Sequence, residues 1–250
     1  IRADLSITHG QFGTIYALAT LLSSFVLIWI GKKIDDMSVF KFSMFVILLL
    51  SFASYFFSTI KLISLFFIGI FLLRLSGQGL MSHTATTTVA RFFDKTRGKA
   101  LSITWLGLSA AEFVLPVLTV FLLTIISWRE IWFAISLLVL IILPIVSFLL
   151  IKELKLDSRE NNKENKINNR IKQWTRSEVI KDYRFYIITL NMLGMPSVAT
   201  GVFVYQSFII FSKNWTPFIF AQSFMAYSVL SVITLFLSGF LIDKFTSRKL

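Results

Sequence analysis

Arg74 and Glu112 are the residues of this chain best placed to do chemistry. Each is the one charged residue inside a long apolar run, Leu62 to about Ala90 and Ala100 to about Trp128. In hydrocarbon such a charge costs a few kcal/mol unless it is paired or wetted. Arg74 stands about 11 residues into its run and Glu112 about 13 into the next, counted from opposite ends, so at about 1.5 Å per residue their depths nearly coincide. Adjacent antiparallel helices can hold the two as an ion pair or present both to one polar cavity. The chemistry open to them is capture of an anionic group by the guanidinium, with the carboxylate accepting a proton or modulating that arginine. The alternative is a static salt bridge that locks two helices.

The elements that must position them follow from composition. Of 250 residues 56% are hydrophobic and only 15% charged, whereas soluble domains run near a quarter charged. The 27 phenylalanines exceed what one water-facing core can hide. Charge-free stretches run from Gln11 to Gly31, Phe42 to Ile60, Ile131 to Ile151, Phe185 to Ser212 and Asn214 to Ile242, each long enough to cross about 30 Å of hydrocarbon. With the runs around Arg74 and Glu112, the chain is expected to form about seven transmembrane helices. They are helices rather than barrel strands because the runs are continuously apolar, with no alternation of faces. The fold class is all-α integral membrane.

The net charge of +12 belongs to topology rather than to nucleic-acid binding, because the cations sit between apolar runs. Lys32, Lys33 and Lys41 follow the first span, Arg91, Lys95, Arg97 and Lys99 the third, and Lys244, Arg248 and Lys249 the last. With the segment from Lys152 to Arg184, about 20 of the 25 Lys and Arg fall in alternate loops, which places the N-terminus outside and those loops in the cytoplasm. Residues 152–184 read as a basic cytoplasmic linker between an N-terminal bundle, 1–151, and the start of a C-terminal one, 185–250. The run Asn161 to Lys166 is too polar to fold alone. After the candidate caps Thr175 and Ser177, Val179 and Ile180 suit a short amphipathic helix, which would also take in Trp174.

The first and last spans end alike, in Gly31-Lys32-Lys33-Ile34-Asp35 and Gly239-Phe240-Leu241-Ile242-Asp243. Leu22, Ser23 and Leu27 superpose on Leu230, Ser231 and Leu235 in the same register, as a duplicated unit would. A glycine at a span end lets a helix approach closely, and an aspartate there can accept from amides at a neighbouring helix N-terminus.

These loops resemble the G-x-L-x-D-R-x-G-R-[RK] motif of the major facilitator superfamily. Gly239, Leu241, Asp243, Lys244, Arg248 and Lys249 fit, with Thr246 in place of the inner glycine. In the first copy Gly31, Asp35 and Lys41 fit, but Asp36 and Ser38 depart from the pattern. The stretch Arg74-Leu75-Ser76-Gly77-Gln78-Gly79 is similar to the family's fourth-helix R-x-x-x-G, and Arg91-Phe92-Phe93 through Arg97-Gly98-Lys99-Ala100 to its fourth-to-fifth junction. The resemblance covers essentially the whole chain. It implies a major facilitator type helical bundle that is incomplete, holding family helices two to eight. It further implies a multi-pass protein of the bacterial inner membrane type that moves a small solute by secondary active transport, as symporter or antiporter. By the family's pseudo-symmetry Asp243 is then expected beside the helix starting near Gly98, and the counterpart of that partner for Asp35 is expected to be absent.

Around Arg74, Gln78 lies one α-helical turn on, while Gly77 and Gly79 suit close packing. His83 and Thr84 to Thr88 make a polar face toward the cytoplasmic end, better suited to a hydroxyl lining than to a proton relay. Pro116, Pro144 and Gly194-Met195-Pro196 interrupt three spans, and Asn191, Tyr205, Gln206 and Tyr227 are polar enough to face a cavity. The substrate and coupling candidates are Arg74, Gln78, Glu112, Asn191 and Tyr227. Arg74 favours an organic anion and Glu112 allows proton coupling. The partners expected are that solute, a proton and the bilayer, with no nucleic acid, no cofactor and a monomeric state.

Cysteine is absent and the two histidines, His9 and His83, are far apart in sequence, so no thiol or zinc chemistry is expected. No phosphate loop or nucleophile-base pattern occurs, which argues against an enzyme or an ATP-driven pump. A seven-helix membrane receptor or sensor is the alternative suggested by the span count. It has no use for duplicated Gly and Asp loops, and no span holds a lysine that could bind retinal.

Overall fold

The computed structural model of the protein describes residues 1–93, 97–149 and 175–245. Seven helices are long and apolar enough to cross a membrane: His9–Ile34, Val39–Ser58, Ile63–Phe92, Gly98–Leu122, Trp128–Ser147, Tyr183–Gln206 and Pro217–Leu237. They match the seven runs expected from hydropathy, and no strand occurs among the described residues.

Local sequence sets where the helices begin. Helix α1 (His9–Ile30) starts at Thr8, whose hydroxyl accepts from the Gln11 N–H while the Gln11 side chain accepts from the Thr8 N–H. This reciprocal cap satisfies two amides that the first helical turn leaves unpaired. A 3₁₀ turn, Gly31–Ile34, ends the rod. Helix α2 (Val39–Ser58) is capped by Ser38. The third span is a composite of α3 (Ile63–Leu73), a π-helical segment (Arg74–Met81) and α4 (Ser82–Phe92).

Helices α5 (Arg97–Leu122) and α6 (Trp128–Ser147) follow, the latter capped reciprocally by Ser127 and Glu130. The short helix α7 (Arg176–Lys181) is capped by Thr175, as anticipated, with Glu178 completing the box. Helices α8 (Tyr183–Ser212) and α9 (Pro217–Phe245) complete the fold. Trp174 and the run Asn161 to Lys166 lie outside the described residues.

The prolines do not behave as expected. Pro116, Pro144 and Pro196 lie inside α5, α6 and α8, which run on through them. Each removes one backbone donor without ending its helix. The irregularity of the third span lies instead at Arg74–Met81, where i→i+5 winding replaces α-helical winding.

Helix α1 packs along α3 and the π segment, α2 along α6, and α5 along α9. Small residues make the close contacts. Ser51 of α2 donates across the interface to the Ser136 carbonyl of α6 at 3.0 Å. In the absence of a hydrophobic drive within lipid, such packing and hydrogen bonding hold helices together. Phe57, Ile60, Phe66 and Ile70 form a buried cluster with Leu5 and Ile7 of the N-terminal segment. Near the other end, Ile34, Phe42, Val46, Leu75 and Leu80 form a second. Large apolar side chains such as Leu21, Trp29, Phe52 and Phe211 are exposed. A water-soluble monomer rarely shows so much apolar surface; spans facing lipid require it.

Side-chain contacts tie the two ends of the bundle. At one, Arg129 pairs with Asp4 and donates to the Ile60 carbonyl at 2.9 Å, and the Trp128 indole donates to Asp4 at 3.2 Å. At the other, Arg91 pairs with Asp35 and donates to the Ile34 carbonyl at 3.3 Å, and His83 Nε2 lies 3.2 Å from the Gly31 carbonyl. The nitrogen facing that carbonyl must be the protonated one. Arg91 of α4, brought beside Asp35 by the packing of α4 on the 3₁₀ turn, pairs with it, a contact within the same half of the chain and distinct from the pseudo-symmetric counterpart.

Candidate functional site

Arg74 is half-buried at the junction of α3 and the π segment. Its guanidinium lies over the Tyr16 ring of α1, 4.9 Å from the centroid. The π segment, Arg-Leu-Ser-Gly-Gln-Gly-Leu-Met, is threaded between two helices, and its glycines make the room. A Cβ on Gly77 would stand 3.4 Å from a Leu50 methyl of α2. One on Gly79 would stand 3.4 Å from both Leu27 methyls of α1 and 3.3 Å from the Arg74 carbonyl oxygen. The packing role expected of both glycines is therefore seen. Gln78 is exposed, four residues on from Arg74 within the same π segment.

Glu112 lies about 15 Å from the C-terminal end of α5, counting ten residues at about 1.5 Å each. It is half-buried and lines a cavity of about 730 Å³ between α5, α8 and α9. Thr119 and Gln206 are the polar neighbours, and Pro116, Phe203, Phe220 and Phe224 belong to the apolar wall. Pro116 has no N–H to return to the Glu112 carbonyl, so that carbonyl loses its ordinary helical donor.

Arg74 and Glu112 form no ion pair, and Arg74 is not among the residues lining the Glu112 cavity. The reason lies in the packing. The composite third span meets α5 through α4, its last eleven residues, whereas the C-terminal half of α5, from Leu108 on, faces α8 and α9. Depth along the helix axis agrees for the two charges; direction around it does not.

The remaining candidates disperse. Asn191 is exposed on α8 and donates to the Ile187 carbonyl of its own helix at 3.0 Å. Tyr227 lines a second cavity of about 300 Å³ between α8 and α9, walled by Val198, Val202 and the same Phe203, Phe220 and Phe224. Phe224 stands 4.5 Å from Phe203 and 4.9 Å from Phe220, centroid to centroid, and so separates the two spaces. Thr84 and Thr86 bond back to carbonyls of their own helix, while the Thr20 and Thr88 hydroxyls are buried without a partner. Of the duplicated loop motif, Gly31 and Asp35 are placed as above. The side chains in the second copy, Asp243 and Lys244 after Gly239, and all of Arg248, lie outside the described residues, as does the expected contact of Asp243 near Gly98.

One further contact was not anticipated. The N-terminal end of α1 meets the C-terminal part of α8: His9 packs edge-on to Phe208, centroids 5.7 Å apart, and Tyr205 fills the space beside Gly13. Tyr16, the partner of Arg74, was missed as well. The available signal was a ring on the preceding span, about 10 Å in from its N-terminal end and within reach of a long arginine side chain.

No group of His, Asp and Glu side chains able to hold a metal occurs among the described residues. A model of the Major Facilitator Superfamily matches residues 1–250, the full length of the chain. No curated protein and no solved structure matches it.

Proposed function

We propose, from the premise that the chain belongs to the Major Facilitator Superfamily, that it moves a small organic anion across a membrane, with Arg74 taking the anionic group. Membership itself makes it a membrane transporter of some solute. The observation that carries the finer reading is the setting of Arg74: mid-span, half-buried, with a ring beside it and no carboxylate paired to it among the described residues. A cation at that depth costs about 2.5–3.5 kcal/mol. A ring face returns about 0.5–2 kcal/mol. An incoming anion relieves the remainder, which is the energetic case for binding one.

Glu112 supplies a site for proton coupling. It is held apart from Arg74, so it can gain or lose a proton without breaking a pair. Alternating access then requires two arrangements of the helices about the midplane. The contact of α1 with α8 closes one side in the present arrangement. The alternation of Lys and Arg among the loops supports assigning that side to the exterior, and the Asp35 end and the linker to the cytoplasm of a bacterial inner membrane. Gly31, Asp35 and the corresponding Gly239, Asp243, Lys244 and Arg248 serve in this reading as the loops that change partners between arrangements. Asn191, Gln78 and Tyr227 remain candidates for substrate contact, and the working unit is a monomer.

The test is uptake of a panel of small carboxylates by the protein in proteoliposomes, with and without an imposed proton gradient, for wild type and Glu112→Gln. Gradient-driven uptake that Glu112→Gln uncouples supports the reading. Uptake indifferent to the gradient and to Glu112→Gln across a pH series removes the coupling role.

A further inference from the structure

We infer that the cavity between α5, α8 and α9 binds an amphipathic organic cation, its charged group at Glu112 and its apolar body against Phe203, Phe220 and Phe224. The space of about 730 Å³ falls in the range of sites for drug-sized molecules, about 300–1,000 Å³. Glu112 is the one ionisable residue lining it, and no hydrogen bond or ion pair engages that carboxylate among the described residues. A charge so placed in a membrane span calls for a counter-charge. The protein supplies none here.

The rest of the wall selects the sign and shape of what can. Pro116 leaves the Glu112 carbonyl without its helical donor, so one residue offers two acceptors, a carboxylate and a carbonyl. The three phenylalanines present ring area to a cation, an attraction that grows where water is excluded. On the far side of these rings the second cavity of about 300 Å³ continues the apolar surroundings toward Tyr227. An anion would meet the Glu112 charge with no cation in the lining to offset it. A lipid chain or other neutral apolar occupant would leave the ionised carboxylate uncompensated, so it would fit only the protonated form of Glu112.

This inference shares Glu112 with the coupling role proposed above, but it does not depend on the nature of the solute carried at Arg74, which lies outside this cavity. Its test therefore measures binding alone, with no gradient and no transport. Tetraphenylphosphonium is equilibrated with the purified protein, and the fraction displaced by excess unlabelled probe is read. Saturable binding is expected, weakened at least about tenfold in Glu112→Gln and severalfold in Phe224→Ala.

Tetraphenylborate, of the same shape and opposite charge, is expected not to displace it. Equal binding by wild type and a folded Glu112→Gln overturns the inference. So does displacement by tetraphenylborate as effective as by the phosphonium, or the absence of saturable binding, which would leave the space a lipid-filled groove. The comparison of the two probes on wild type decides the matter even where the variant does not fold. Phosphonium binding without carboxylate uptake would refute the transport reading alone, and uptake without phosphonium binding would refute this one alone.

Discussion

Replacing Gly13 by leucine should push α1 and α8 apart at their contact and move the protein toward the arrangement open on that side. A Cβ at position 13 would lie 3.0 Å from Tyr205 Oη and 3.5 Å from Cζ. Comfortable contacts are about 3.5–4.0 Å, so alanine needs only a shift of a few tenths of an ångström at a side-chain tip. Leucine adds three more carbons in the same direction, and overfilling a packed site costs about 1–3 kcal/mol. If that cost falls on the closed arrangement alone, the population ratio changes by about 5- to 150-fold.

The absence of native cysteine makes the assay clean. His9→Cys and Phe208→Cys, replacing rings whose centroids are 5.7 Å apart, are joined by a short bifunctional thiol reagent in the otherwise native protein. Adding Gly13→Leu should slow cross-linking by a factor in that range, and Tyr205→Ala should restore it. Unchanged cross-linking in a folded Gly13→Leu protein, or no rescue by Tyr205→Ala, would refute the reasoning.

Two further outcomes follow from the same geometry. Gly69→Ala should cost about 1–3 kcal/mol, seen as a lower melting temperature in detergent, because its Cβ would stand 2.5 Å from Ile60 Cδ1 and 2.8 Å from a Phe57 ring carbon. Gly107→Ala, with nothing within 4 Å, should not lower it. The hydrogen bond from Arg129 holds the Asp4 carboxyl below its usual range. A depressed carboxyl stabilises the fold above its unfolded pKa of about 3.9 and loses that contribution as pH falls through the folded value. Acidification from about pH 4 downward, through the depressed folded value, should thus release the N-terminal segment from Trp128, shifting tryptophan fluorescence. Asp4→Asn should remove that pH dependence.

The spans were legible because each continuous apolar run exceeds what a soluble helix needs and matches what hydrocarbon requires. Thr175 was legible as a cap because a hydroxyl before an acid at the third position is a local pattern. Arg74 and Glu112 were legible as mid-membrane charges for the same reason that hydropathy works at all: position along a helix fixes depth. Their separation was not legible. Direction around the axis depends on which neighbour packs where, and α5 turns its C-terminal half toward α9.

The π segment was hidden because polar residues and glycines such as Arg74, Gly77, Gln78 and Gly79 suit packing or a site in any helix; nothing in residue type reports the hydrogen-bond register that distinguishes π from α winding. The prolines misled in the opposite sense, since losing one donor does not end a helix held by its neighbours. Asp35 and Arg91 were each recognised as loop-motif residues. Pairing them required knowing that α4 lies against the turn after α1.

The most direct test of the account is the rate of carboxylate uptake into proteoliposomes by wild type and Arg74→Gln, matched for folded protein by tryptophan fluorescence. The account predicts saturable uptake of at least one small carboxylate, lost in Arg74→Gln, with a cation on the same carbon skeleton failing to compete. Equal uptake by wild type and Arg74→Gln would contradict it.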